Sequence, residues 1–235
     1  FIHLAWVGSS GPKRTDYNLQ INNALWTVQC MEVAKALGCA RFVCAGSIME
    51  KEVMAIINQQ GIRPAMGYIY GLGKLVAHSL CKSLASQLEI DLVWAVITNA
   101  YGVGELSPRF INTTLRKIIN KESLNFTEAS QNYDFVYITD VAEAFYSISK
   151  KGMPYCEYLI GSSNPRPLKN FINELAKSVS YDKELTFGSI PYNGVNLPLS
   201  TYDTSKTEKD TGFKAKVSFV EGVCKTMEWL KEIAV

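Results

Sequence analysis

Apolar positions recur every three or four residues over 18–37 (Leu19, Ala24, Val28, Met31, Ala34, Leu37), and Gly38 follows as a stop signal. The same spacing returns over 70–88, with Leu72, Val76, Leu80, Leu84 and Leu88 on one stripe. Both stretches predict long helices. Elsewhere the pattern turns continuous. Residues 1–7, 41–45 and 91–98 are nearly unbroken apolar runs of strand length. A short helix is expected over 51–60 and a loop over 61–67. Apolar strands alternating with such helices belong to a parallel sheet covered on both faces. Residues 1–104 therefore read as half of a doubly wound α/β domain.

Past Gly104 the texture changes. Helices are expected over 109–120, 140–148, 168–178 and 219–233, with Thr139 or Asp140 capping the second of these. A short strand is expected over 135–138, and 188–199 is a loop rich in Pro, Gly and Asn. Residues 105–235 read mainly as a smaller α+β lobe interleaved with the first domain.

Composition narrows the function classes. The 235 residues are 47% hydrophobic and 20% charged, the balance of a soluble globular chain. No apolar run approaches the roughly 18 residues of a membrane span. Lys plus Arg is 24 against 22 Asp plus Glu, and no basic stripe stands out, so neither nucleic acid nor membrane is an expected partner. The six cysteines form no C-x-x-C pair; metal binding is not expected, and reduced thiols fit a cytoplasmic protein. Residues 1–7 are too short for a secretory signal. The chain opens on Phe1 inside a strand, which leads us to expect a preceding N-terminal portion.

Tyr70 and Lys74 match Y-x-x-x-K on a helix, where residues four apart share a face. An ammonium beside a phenol favours the phenolate, which can exchange a proton with a substrate hydroxyl. Tyr146/Lys150 and Tyr202/Lys206 match as well, but only Tyr70 opens a long helix. It also follows a strand ending in Ala45-Gly46-Ser47, and carboxyl ends of parallel strands gather active sites. Ser47 can hydrogen-bond the same substrate oxygen; as a bland alternative it caps a turn. Asn99, in Asn99-Ala100-Tyr101-Gly102, reaches the same edge with a donor and an acceptor, or simply forms a turn.

Taken in order, His3-Leu4-Ala5, Ser47, Tyr70-x-x-x-Lys74 and Asn99-x-Tyr101-Gly102 resemble the extended short-chain dehydrogenase/reductases, which are sugar-nucleotide epimerases, dehydratases and ketoreductases. The segment 133–142 and the Asp203-Thr204-Ser205-Lys206…Gly212-Phe213 block extend the likeness over nearly the whole chain. The resemblance implies a Rossmann-like doubly wound parallel sheet with a smaller C-terminal α+β substrate lobe, NAD or NADP as cofactor, and a sugar-nucleotide substrate. It casts Tyr70 as the acid/base, Lys74 as its partner on the nicotinamide ribose, and Ser47 as orienting the substrate oxygen. Ala5 and Asn22 fall against the cofactor, and Asn99 on the substrate's phosphate side. The family's glycine-rich phosphate loop would lie upstream, about 70 residues or three βα units before Phe1; Gly8-Ser9-Ser10-Gly11 lacks its spacing.

The departures are informative. Ile48-Met49 follow Ser47 where the family's dehydratases carry Asp-Glu, which argues against 4,6-dehydration. Tyr133 replaces an arginine that pairs the diphosphate, and a second arginine is missing from 190–196. Arg109 is the first substitute, before Arg116 and Arg166. His78 is expected on the helix surface or at a dimer contact. The reading is an epimerase or 4-ketoreductase that dimerises through helices 18–37 and 70–88; the alternative is a non-catalytic relative serving as a binding protein or scaffold.

Overall fold

A computed structural model describes residues 1–61 and 63–233. Ile62, in the loop expected over 61–67, falls outside the described residues, as do Ala234 and Val235. The first half runs β1 (Ile2–His3), α1 (Tyr17–Ala36), β2 (Arg41–Ser47), α2 (Met49–Ile56), α3 (Tyr68–Leu88), β3 (Asp91–Ile97) and β4 (Asn99–Tyr101). The second half runs α4 (Phe110–Ile119), β5 (Leu124–Asn125), β6 (Asn132–Tyr133), β7 (Phe135–Tyr137), α5 (Ile138–Lys151) and β8 (Glu157–Ile160). It continues through β9 (Arg166–Pro167), α6 (Leu168–Ser178), β10 (Leu185–Thr186), α7 (Ser205–Thr211) and α8 (Phe219–Ile233).

The main sheet is parallel throughout, in the order β1-β2-β3-β8. Its strands alternate between two cores, as the two-residue period demands. Phe42, Cys44, Leu92, Trp94 and Val96 meet Met31, Ala34, Ala77, Cys81 and Ala85 of α1 and α3. Val43, Ala45, Val93 and Ala95 meet Val141, Ala144, Phe145 and Ile148 of α5. Helices thus cover both faces of the sheet at β2 and β3. Residues of α5 and β8 lie beyond position 104 yet join this layer, so the two parts interleave. The smaller lobe has its own core, where Phe135, Phe171 and Phe219 pack ring on ring at 4.8–5.7 Å.

Several boundaries differ from expectation, each for a local reason. The strand expected over 1–7 pairs only at Ile2–His3. Beyond it, Asn23 binds both main-chain groups of Val7, at 2.9 and 2.8 Å, and Gln20 accepts from the Trp6 indole at 2.7 Å. Side chains of α1 thereby replace a neighbouring strand. The helix expected over 140–148 extends to Ile138–Lys151, and neither Thr139 nor Asp140 caps it. Asp140 instead accepts from the Lys216 and Val217 amides at 3.1 and 2.9 Å, tying the C-terminal segment to α5. The short strand β8 and helix α7 were not foreseen; four and seven residues are too few to carry a periodic signal.

Helix α3 approaches its neighbours more closely than side chains normally allow. A Cβ on Gly71 would lie 2.8 Å from the Met49 carbonyl oxygen of α2, and one on Gly73 would lie 3.0 Å from Gln20 of α1. Mid-helix glycine costs about 1 kcal/mol relative to alanine, so propensity alone would favour Gly71→Ala. We expect the opposite. The added methyl has to push α3 off α2, and overpacking of this kind costs about 1–3 kcal/mol. Urea denaturation of Gly71→Ala should show a net loss; a more stable variant would mean that the helices have room to spare.

Candidate active site

Strands β2 and β3 run in register to Ser47 and Ile97, so Ser47, Thr98 and Asn99 emerge at one carboxyl edge. Just beyond that edge a cleft of about 320 Å³ separates the sheet from the smaller lobe. Ser47, Tyr70, Asn99 and Arg109 all line it, brought there by β2, α3, β4 and the start of α4. Tyr70 is buried, with Trp6 edge-on to its ring at 6.1 Å. Lys74 sits one helical turn along, 4% exposed. Its ammonium donates to the Ala45 carbonyl at 2.8 Å and lies 3.9 Å from the centre of the Trp6 ring. A lysine has three donors; one goes to Ala45, and Lys74 itself stands just behind the cleft lining.

Ser47 is fixed from two sides. Its amide donates to Glu50 Oε1 at 2.7 Å, and its Oγ accepts from the Met49 amide at 3.3 Å. Asn99 donates through Nδ2 to the Asp134 carbonyl at 3.3 Å. Thr98, also on the cleft wall, has a buried hydroxyl without a partner among the described residues. Two expected positions fall elsewhere. Ala5, two residues past β1, and Asn22, on α1, are both exposed and lie outside the cleft lining. The asparagine that faces the segment after β1 is Asn23. A one-residue step on a helix turns a side chain by about 100°, enough to exchange solvent for core.

The cations are arranged differently from expectation. Arg109 does line the cleft, but its Nε pairs with Glu105 at 3.1 Å and its Nη2 donates to Ser9 Oγ at 3.3 Å. Arg116 turns away to Asn112 at 2.7 Å. Arg166 pairs with Glu174 and stacks on Phe171, 4.1 Å from the ring centre. Arg14, which the sequence reading passed over, lies 4.5 Å over the Tyr70 ring. Its Nη1 donates to the Ser9 carbonyl at 3.2 Å, and no carboxylate pairs with it among the described residues. The signal was a basic residue in the loop following β1, at the carboxyl edge of the sheet. Tyr133, in the place of the family arginine, also lines the cleft; burial pushes its phenol up to about 12, so it stays a neutral hydrogen-bonding group.

Two carboxyls follow Ser47 on α2, with different fates. Glu50 is 1% exposed and accepts from Ser47, from the Trp94 indole and from His78. His78 is therefore not a free surface histidine: it stacks on Trp94 at 4.4 Å. Glu52 faces the cleft, and burial, opposed by Arg14, pushes its carboxyl up to about 7.

The sign of the resulting pH dependence follows from which state loses its proton first. Between the ordinary carboxyl range and pH 7 the unfolded chain releases the Glu52 proton while the folded chain holds it, so stability falls as pH rises through that window. Glu52→Gln removes this term. Relative to the parent, it should gain about 1–2 kcal/mol at pH 8 and little near pH 5 in urea melts, the site being partly solvated. An equal effect at both values would show that Glu52 titrates normally.

A second pocket, of about 420 Å³, adjoins the first through Pro108, Phe110 and Tyr133. Phe126 and Tyr192 wall it, and Gln131 contributes a buried amide oxygen without a partner among the described residues. No helix among the described residues is long and apolar enough to cross a membrane.

Known proteins resemble this chain in sequence and in fold. Human dTDP-D-glucose 4,6-dehydratase is 27% identical over 201 residues, covering 80% of this chain and 53% of the human protein. CDP-abequose synthase of Salmonella muenchen is 26% identical over 133 residues, covering 56% of this chain and 45% of that enzyme. The chain thus spans about half the length of the curated relatives it matches. Among solved structures, UDP-N-acetylglucosamine 4-epimerase from Methanobrevibacter ruminantium, in complex with UDP-N-acetylmuramic acid, superposes with a TM-score of 0.82. It is 17% identical, and the match covers 99% of this chain and 76% of that one. MoeE5 in complex with UDP-glucose and NAD gives a TM-score of 0.80 at 22% identity, covering 100% of this chain and 79% of that one. Both share the Rossmann-type fold. Residues 1–161 match the model of the NAD dependent epimerase/dehydratase family, and the chain belongs to that family.

Proposed function

We propose that this chain carries the catalytic edge of an NAD- or NADP-dependent sugar-nucleotide epimerase or 4-ketoreductase. The observation that carries the reading is the convergence of Ser47, Tyr70 and Asn99 on one cleft, with Lys74 one turn beneath Tyr70. The nicotinamide, when bound, accepts or returns a hydride at the sugar carbon. Tyr70 takes the proton from the hydroxyl on that carbon as the hydride leaves, and gives it back when the hydride returns. Lys74, one turn along the same helix, holds the nicotinamide ribose with its spare donors. Ser47 donates to the same sugar oxygen from β2, which aims the hydroxyl's O–H at Tyr70. The carboxyl that follows Ser47 most closely, Glu50, is spent on Trp94 and His78. Ile48-Met49 put no acid pair beside the serine, which favours epimerisation or reduction over dehydration.

The rest of the substrate finds matching chemistry. Arg14 and Arg109 both hold Ser9, and so stand together at the cleft mouth. They supply the positive charge that Tyr133 does not, and burying a diphosphate without cations would cost several kcal/mol. Glu52 accepts hydrogen bonds from sugar hydroxyls across from Arg14. The adjoining aromatic pocket fits a nucleobase between Phe126 and Tyr192, with the Gln131 amide reading its edge. Ile21, Leu25 and Val33 of α1 and Leu72 and Leu80 of α3 stay 40–53% exposed. A second copy covering this stripe would make a two-fold dimer, readable by sedimentation at micromolar concentration.

Three substitutions test the assignment in the complete, cofactor-loaded protein. Tyr70→Phe should fold normally and lower turnover on the productive sugar nucleotide by about a hundredfold or more; full activity would remove Tyr70 from the chemistry. Arg14→Gln should weaken calorimetric binding of UDP-, CDP- or dTDP-sugars by about 1.5–3 kcal/mol, and Arg109→Ala by less because Glu105 already shares its charge. Equal binding by wild type and Arg14→Gln would place the phosphates elsewhere.

A further inference from the structure

Behind the cleft wall, a small polar cluster connects Ser47 to the far side of the sheet. Glu50 is nearly sealed from solvent and accepts from three donors. These are the Ser47 amide at 2.7 Å, the Trp94 indole at 3.2 and 3.1 Å to its two oxygens, and His78 Nδ1 at 3.0 Å. A carboxylate only accepts, so the His78 proton sits on Nδ1. The imidazole lies flat on the Trp94 ring, 4.4 Å between centres and 7° from parallel. Its side chain retains 17% exposure in a shallow groove, whereas that of Glu50 retains 2%. A Cβ on Gly46 would lie 2.3 Å from the Trp94 indole nitrogen and 2.8 Å from Glu50 Oε1, so the backbone itself is cut back to admit the cluster.

We propose that Glu50 is the positioning residue for Ser47, and that His78 sets how firmly Glu50 holds it. The inference rests on the reading of Ser47 as the residue that orients the substrate oxygen. Buried polar groups gain their strength from complete pairing. Here one carboxylate divides its electron density among Ser47, Trp94 and His78, so strengthening one bond weakens the others. A second proton on the exposed ring places a full positive charge against Glu50 Oε2. It draws the carboxylate toward α3 and loosens the bond to the Ser47 amide. The other groups that face His78 are accounted for. Lys51 of α2 is paired with Glu157 of β8 at 2.6 Å, Lys82 lies one turn along α3, and Lys74 is committed to Ala45. None of these cations contacts Glu50.

The cluster carries its own reporters, so the test needs neither substrate nor turnover. In nitrogen-15-labelled protein, the Ser47 amide and the Trp94 indole N–H should both shift with pH, in step with the His78 ring resonances themselves. His78→Phe keeps a flat ring on Trp94 and removes the proton site; both shifts should vanish. Glu50→Gln keeps an acceptor for Ser47 and Trp94 and removes the charge; both bonds should persist while their common titration is lost. Glu50→Ala, if it folds, should release the Ser47 amide to rapid hydrogen exchange. A Ser47 amide that stays still while His78 titrates would overturn the proposal, as would a shift that survives His78→Phe. If the wild type binds no sugar nucleotide, the catalytic reading fails, and the titration still decides whether Glu50 couples the two residues.

Discussion

The close approach of α3 to both α1 and α2 is the constraint on which the site depends. Gly71 and Gly73 lie between Tyr70 and Lys74 in sequence, and each presses a bare backbone against a neighbouring helix. Without them, α3 would stand off by at least a methyl radius, and Tyr70 would leave the edge where Ser47 and Asn99 emerge. The cost is two flexible residues in the helix that carries the catalytic motif. That cost is offset beneath the motif by Ala77, Cys81 and Ala85, all 0% exposed, and by Lys74 bridging to the Ala45 carbonyl of β2. The two glycines of the three intervening residues, Gly71 and Gly73, thus set the helix spacing that brings Tyr70 to the cleft.

The parts of this fold that were legible in the sequence are those with long, repeated signals. Helices α1, α3, α6 and α8 show three or more turns of apolar recurrence, and β2 and β3 are continuous apolar runs between polar turns. The site was legible where a motif coincided with such an element, as Tyr70 and Lys74 do on α3. What was not legible depends on tertiary partners. The strand expected over 1–7 stops early because Gln20 and Asn23 hold its continuation. Asn22 and Asn23 are equivalent as letters, and only the packing of α1 distinguishes the exposed one from the buried one. Arg166 looked available because its partner Glu174 is eight positions away, on the next helix.

Charge in the cleft follows the same logic of local neighbours. A tyrosine in the family's arginine position removes a cation from β6, and Arg14, in a short 3-10 helix between β1 and α1, brings one to the same cleft. The exchange moves the positive charge next to the catalytic ring, 4.5 Å over Tyr70. It also places that charge across from Glu52, whose burial keeps its carboxyl protonated further toward neutrality than an ordinary glutamate. A protonated Glu52 leaves the Arg14 charge uncompensated for an anionic substrate, so the two walls together make a site that is more cationic on the acid side of neutrality.

Glu50 shows why spacing after a catalytic serine has to be read with the strand beside it. Three residues past Ser47, a carboxyl is close enough to swing into the cleft. Trp94 on the adjacent strand prevents this, because its indole N–H would otherwise be buried without a partner, at a cost of about 1–3 kcal/mol. His78 and the Ser47 amide fill the remaining acceptor positions, and Gly46 leaves the space. The carboxylate is thereby committed to the side of the sheet that faces α3, while Glu52, two residues on, occupies the cleft wall. Two acids two residues apart on one helix thus end in different places: Glu50 accepts from the Ser47 amide behind the wall, and Glu52 lines the cleft.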